Sequence, residues 1–172
     1  MAHPTDNIFS LEGYDLQEVD TLKIAIIDTE WNPEIMTSLL ESANATLLDL
    51  GIAKDHIDHI RVPGAYELPL GAKYVLGSTN RPDAIICLGC VIQGATKHDD
   101  YINHTVAKSI AQIGLMSGVP VIFGVLTTNT LEQAQERSGG SHGNKGKESA
   151  YAALKMISLK QRMLTHQSKI SF

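Results

Sequence analysis

The sequence predicts one three-layer α/β/α domain, with four parallel strands covered by helices on both faces. Three observations carry this. Leu22–Asp28, Ala84–Leu88 and Pro120–Leu126 are apolar runs without polar alternation, as expected of strands covered on both sides. Between them lie segments with apolar residues at helical spacing. Strand and helix patterns then alternate throughout without an internal repeat, which is the signature of a doubly wound parallel sheet.

Taken in order, residues 1–21 show no clear period and read as an arm. Residues 22–172 read as the single domain. The first strand is Leu22–Asp28, followed by the turn Thr29-Glu30-Trp31-Asn32. Pro33 opens a helix carrying Met36, Leu39, Leu40, Ala43 and Leu47, which ends near Gly51. Ile57–Val62 is a weaker second strand, broken by Pro63-Gly64, and a helix follows from Ala65 to about Leu76. The third strand occupies 83–88 and is expected to break at Gly89 before the short apolar piece Cys90-Val91-Ile92. Its helix spans about 99–117, with Ile102, Val106, Ile110 and Ile113 in phase. After the fourth strand, Thr127-Thr128-Asn129-Thr130 caps a helix from Leu131 to about Arg137. Ser138–Gly143 reads as a loop, and the last helix runs from about Lys145 past Met163.

Composition excludes several function classes. The chain has 172 residues, 43% of them hydrophobic and 19% charged, so a packed core is expected. A net charge of −5 with no Lys/Arg-rich run argues against nucleic acid as a partner. No apolar stretch approaches a membrane span, so no membrane partner is expected. The acidic start (Asp6, Glu12, Asp15, Glu18, Asp20) is unlike a signal peptide, which points to the cytoplasm. Cys87 and Cys90 form a CxxC spacing that reads either as a redox or metal pair or as two reduced thiols in a buried strand. An apolar strand precedes the pair, Val91-Ile92 follow, and no second CxxC exists, so the second reading is the stronger.

In a doubly wound sheet, ligands bind beyond the carboxyl ends of the strands. Segments 29–32, 63–67, 89–98 and 127–130 should meet there. Gln93-Gly94-Ala95-Thr96 lies between a strand and a helix, where backbone N–H groups and a helix N-terminus can cradle an anion. His98 stands at the start of that helix, as a candidate proton shuttle. The six other histidines, His3, His56, His59, His104, His142 and His166, read as structural, with His56 and His59 at the surface.

Five motifs, in order, carry a resemblance that covers Leu22 to about Leu159. They are Glu30-Trp31-Asn32, Val62-Pro63-Gly64-Ala65-Tyr66-Glu67-Leu68-Pro69, Leu88-Gly89-Cys90-Val91-Ile92-Gln93-Gly94-Ala95-Thr96-Lys97-His98, Pro120-Val121-Ile122-Phe123-Gly124-Val125-Leu126-Thr127-Thr128 and Gly143-Asn144-Lys145-Gly146. Together they resemble the 6,7-dimethyl-8-ribityllumazine synthases, the flavodoxin-like enzymes of the penultimate step of riboflavin synthesis. The resemblance implies condensation of 5-amino-6-(D-ribitylamino)uracil with 3,4-dihydroxy-2-butanone 4-phosphate, releasing inorganic phosphate and water, with no organic cofactor and no metal.

It also implies roles. Trp31 stacks on the pyrimidine; Glu67 accepts from the ribityl hydroxyls, with Ala65 and Tyr66 giving backbone contacts. Asn32, Cys90, Val91, Ile92 and Phe123 complete the ribitylaminouracil side. Gly94, Ala95, Thr96, Arg137 and Lys145 hold the butanone phosphate, and His98 transfers protons. Taken alone, Trp31 reads as a partly buried structural residue, Glu67 as a first-turn helix carboxylate and Arg137 as a helix-end cation. Lys145 is placed to pair with Glu148.

The same resemblance implies active sites between subunits, with Phe123, Arg137 and Lys145 reaching a neighbour's pocket. It implies pentamers assembled into a sixty-subunit shell, because the 137–145 link is short and glycine-rich. Riboflavin synthase is a further candidate partner, and the arm is expected to add to a neighbour's sheet edge. The chain departs from the family at Asp99, where an aromatic is usual. That departure favours, as the alternative reading, a catalytically weakened shell protein that binds flavin or lumazine. A flavodoxin-like binder of an existing flavin is the third reading.

Overall fold

The computed structural model describes residues 9–168, with side chains as far as Thr165. Strands β1 (Ile24–Thr29), β2 (Ile57–Val62), β3 (Ala84–Ile92) and β4 (Val121–Thr128) form one parallel sheet in the order β2-β1-β3-β4. Helices α1 (Pro33–Asp49), α2 (Leu68–Leu76), α3 (His98–Ser117), α4 (Leu131–Glu136) and α5 (Lys145–Ser168) connect and cover it. The three-layer α/β/α architecture expected from the alternation is the one observed, with the flavodoxin-like character that the resemblance implies.

Strand side chains alternate between faces, so each run feeds two cores. Ile24, Ile26, Ile86, Leu88 and Leu126 pack with Met36, Leu39 and Leu47 of α1 and with Leu154 and Ile157 of α5. Ala25, Ile27, Ile85, Cys87 and Val125 pack with Leu68 and Ala72 of α2 and with Val106 and Ile110 of α3. β1 is buried at every position, as its lack of alternation predicts.

Two expectations need correction. β3 does not break at Gly89 but runs on to Ile92, because β4 pairs with it from Ile85↔Val121 through Ile92↔Thr128. Gly89 is there for packing: a Cβ would lie 3.2 Å from Leu68 Cδ1 and 3.3 Å from Val125 Cγ1. The expected 138–143 loop is instead an antiparallel hairpin, β5 (Ser138–Gly140) and β6 (Gly143–Asn144). Gly139 at φ 126° and Gly143 at φ 83° let the chain reverse there. The helix expected from Ala65 begins with a tight 3-10 turn over Ala65–Glu67 before α2 proper.

The described part of the arm lies on α5 of its own chain. Ser158 Oγ donates to Asp15 O at 2.8 Å, Gln161 Nε2 donates to Gln17 O at 3.2 Å, and Phe9 meets Tyr151 edge-on at 5.8 Å. Residues 1–8, including His3, fall outside the described residues, and so does any edge pairing made by them.

Gly146 in the first turn of α5 is fixed by a close approach, because a Cβ would collide with the Leu39 carbonyl of α1. Gly94 has nothing within 4 Å of the corresponding position. Gly146→Ala is therefore expected to lower unfolding stability by about 1–3 kcal/mol or more, while Gly94→Ala changes it little. Urea unfolding of the two variants beside the wild type checks this; equal stability would contradict the packing described.

Candidate functional site

The site begins with how β1 ends. Asp28 is wholly buried at the penultimate position of β1, where an ionised carboxylate needs partners. It finds them on the edge strand β2, opposite in register at Arg61 and two residues earlier at His59. Arg61 donates to Oδ2 from Nη2 at 2.7 Å and from Nε at 3.1 Å, and His59 Nε2 lies 2.8 Å from Oδ1. Hydrogen bonding to Asp28, then its charge, raises the Arg61 guanidinium above its usual value. His59 is thus not a bare surface histidine. Glu30 N donates to Val62 O at 3.2 Å, which keeps the two strands together just beyond β1.

The chain then turns at Asn32, in the left-handed region at φ 56°, which asparagine tolerates better than most residues. Its amide donates to Cys90 O at 3.2 Å, joining the end of β1 to the end of β3. The turn leaves Trp31 71% exposed, beside Gly64. A Cβ at Gly64 would lie 3.2 Å from Glu67 Oε2 and 3.6 Å from Trp31 Cδ1, so glycine lets the indole and the carboxylate flank the same backbone.

Beyond the strand ends is an open cavity of about 590 Å³. Trp31, Asn32, Ala65, Tyr66, Glu67, Cys90, Val91, Ile92, Gly94, Thr96 and His98, all expected at the site, line it. Gly64, in the expected 63–67 segment but without an assigned role, also lines it, as do Asp99 and Ile102, which were not assigned there. Gly64 stands inside a quoted motif, whereas Ile102 had been absorbed by the helical period of the core face. His98 is the first residue of α3 and is exposed. An aromatic plate, a carboxylate, an imidazole and an open loop at a helix start suit a flat, hydroxylated ligand with an anionic end.

The two thiols offer no redox chemistry here. Cys87 faces the α2/α3 core and Cys90 the α1/α5 core, so they point to opposite sides of β3. Burial pushes Cys87 up to about 12 and Cys90 up to about 11, leaving both as thiols at neutral pH. Among the described residues, no three His, Cys, Asp or Glu side chains gather as a metal site, and no helix is long and apolar enough to cross a membrane.

Ala95, Phe123, Arg137 and Lys145 do not line this cavity. Phe123 is half-buried on β4 against the α2/α3 core. Arg137 caps α4 and meets Glu148 through Nη1–Oε1 at 2.8 Å and Nη2–Oε2 at 3.0 Å, while Nη1 also donates to the His142 carbonyl. Lys145 Nζ adds a contact to Glu148 Oε2 at 3.2 Å. Burial opposes ionisation of Glu148, but Arg137 and Lys145 outweigh it and hold the carboxyl below its usual 4.5. The pairing is complete above that value and is lost as pH falls through the lower folded one. A forked cation and an ammonium thus sit as a preset pair outside the lining of this cavity.

The fold and cavity define a doubly wound α/β protein that takes a small molecule at the carboxyl ends of its strands. The family model of 6,7-dimethyl-8-ribityllumazine synthase matches residues 21–161. Three curated relatives carry that same name. The chain is 46% identical to the one from Cytophaga hutchinsonii over 157 residues, covering 91% of this chain and 98% of the relative. It is 41% identical to that of Parabacteroides distasonis over 157 residues, with coverages of 91% and 98%. It is 45% identical to that of Porphyromonas gingivalis over 155 residues, with coverages of 88% and 96%. The chain belongs to the 6,7-dimethyl-8-ribityllumazine synthase family.

Proposed function

We propose that the chain condenses 5-amino-6-(D-ribitylamino)uracil with 3,4-dihydroxy-2-butanone 4-phosphate to give 6,7-dimethyl-8-ribityllumazine, phosphate and water, as an enzyme of riboflavin biosynthesis. The observation that carries this reading is the meeting of Trp31, Glu67 and His98 around one cavity in a chain of this family. The uracil stacks on Trp31, and Glu67 accepts from its ribityl hydroxyls. The phosphate lies at Gly94–Thr96, where loop N–H groups and the start of α3 favour an anion.

The 5-amino group attacks the ketone and loses water to form an imine. Loss of the proton from the hydroxyl-bearing carbon expels phosphate, its charge met by the loop and by a neighbour's Arg137 and Lys145, and leaves an enol that tautomerises to a methyl ketone. The ribitylamino nitrogen closes the second ring with loss of water. Holding two reactants in register supplies much of the acceleration, and His98 adds about 10²–10⁴-fold by moving protons.

Arg137 and Lys145 lie away from their own chain's cavity, which supports sites completed between subunits of a pentamer. The tight β5–β6 hairpin supports twelve pentamers in a shell, since a bulky link there would obstruct contacts between them. Light scattering at several concentrations should show the sixty-subunit particle; a free pentamer throughout would contradict the shell and leave the enzyme untouched.

The reaction itself is tested with both substrates and chelator-treated protein, following lumazine fluorescence. The expected result is product well above the slow uncatalysed rate. No excess product would contradict the enzyme reading.

A further inference from the structure

The turn after β1 keeps a locally unfavourable arrangement. Asn32 stands just before α1, where an asparagine side chain ordinarily accepts a hydrogen bond from the N–H groups of the first helical turn. It makes no such bond here. Its backbone also lies in the left-handed region, at φ 56° and ψ 60°, rather than in the extended conformation usual before a helix. Both features disfavour the turn on its own, so a contact outside it must hold them. Backbone strain of this kind gathers at functional sites.

The holder is β3. Instead of capping α1, the Asn32 amide donates to Cys90 O at 3.2 Å. β1 pairs with β3 only from Ile24↔Ala84 to Ile27↔Cys87, so Cys90 lies past the end of that ladder, and Asn32 continues the join there. Cys90 is itself fixed by pairing with Leu126 of β4. The residue before Asn32 is Trp31, the largely exposed aromatic of the cavity. Among the described residues, no hydrogen bond or ring contact holds its indole, which lies beside Gly64. The backbone turn therefore decides where the ring sits, and Asn32 decides the turn.

We propose that Asn32 is a positioning residue of this site: its tether to β3 fixes the Trp31 face on which the ribitylaminouracil stacks. The inference rests on the reaction proposed above. Asn32 acts through Trp31, so its effect falls on one substrate. Only the pyrimidine uses the indole face, whereas the butanone phosphate is assigned to the 94–96 loop.

Two variants separate the tether from the backbone conformation. Asn32→Gly keeps the left-handed turn at no steric cost and loses the amide. Asn32→Asp keeps the size and the tolerance for that turn, but its carboxylate cannot donate to Cys90 O. Trp31 is the chain's single tryptophan, so time-resolved fluorescence anisotropy reports on that ring alone and needs no substrate. Calorimetric titration of each substrate separately gives the affinities, with melting temperature and particle size measured alongside. In both variants the indole is expected to move more freely, and ribitylaminouracil to bind about three- to tenfold more weakly. The butanone phosphate should stay within about twofold of wild type. An indole as restrained as in wild type, or equal losses for both substrates, would overturn the proposal. So would wild-type uracil affinity in Asn32→Asp beside a loss in Asn32→Gly, because Asn32 would then serve the ligand directly as an acceptor. Binding rather than turnover is read, so a protein that binds both substrates and makes no lumazine would overturn the reaction and leave this test intact.

Discussion

The ladder between β3 and β4 is the constraint on which the site depends. It holds β3 extended through Gly89 as far as Ile92, and Gln93 N still donates to Thr128 O at 2.8 Å. The chain then has only residues 93–97 in which to leave the sheet and start α3. That short crossing brings Gly94, Thr96 and His98 to the cavity together. Were β3 to end at Leu88, the loop would be longer and His98 would not be set by the sheet. The Asn32–Cys90 hydrogen bond transmits the same constraint to the Trp31 turn. Gly89 permits it by leaving room for Leu68, whose helix begins just after Glu67.

The β1–β2 edge adds a second anchor. Asp28, wholly buried, is met by a bidentate arginine and a histidine from the outermost strand. Removing one partner of such a cluster leaves a buried charge exposed to its full desolvation cost, whereas the pair together is close to neutral for stability. Its consequence is therefore geometric: it fixes β2, and with it Pro63-Gly64, beside the Trp31 turn. The Arg137–Glu148–Lys145 group is a second cluster of this kind. It orients two cations outside the lining of the chain's own cavity.

Most of the fold was legible because it follows from local periodicity. Leu22–Asp28 had no alternation and is buried on both faces; Met36, Leu39 and Leu47 shared a helical phase and share a core. The misreadings arise where a distant partner overrides a local signal. Gly89 looked like a strand breaker, but pairing with Val125 keeps it in the ladder. Residues 138–143 have no period, and their hairpin rests on glycine geometry and on hydrogen bonds to Glu136 and Arg137 that no local pattern announces. Asp28 interrupts nothing in its own strand, so its partners, about thirty residues on, were invisible. At the site, the motifs named the lining from Trp31 to His98, whereas Ile102 and Asp99 required the actual phase of α3 against the sheet. The family resemblance, rather than spacing, assigned roles to Phe123 and Arg137, and neither lines the cavity of its own chain.

The proposed sites, each joining the cavity of one subunit to the cations of another, can be tested by complementation. Co-assembling His98→Ala subunits with Arg137→Ala subunits tests them most directly. Neither parent alone has a complete site, but a mixed assembly can join an intact His98 from one subunit to an intact Arg137 from its neighbour. The account predicts that lumazine formation by the mixture rises well above that of either parent assembly. A mixture that stays at the average of its parents, with mixed assembly verified by mass, would contradict it.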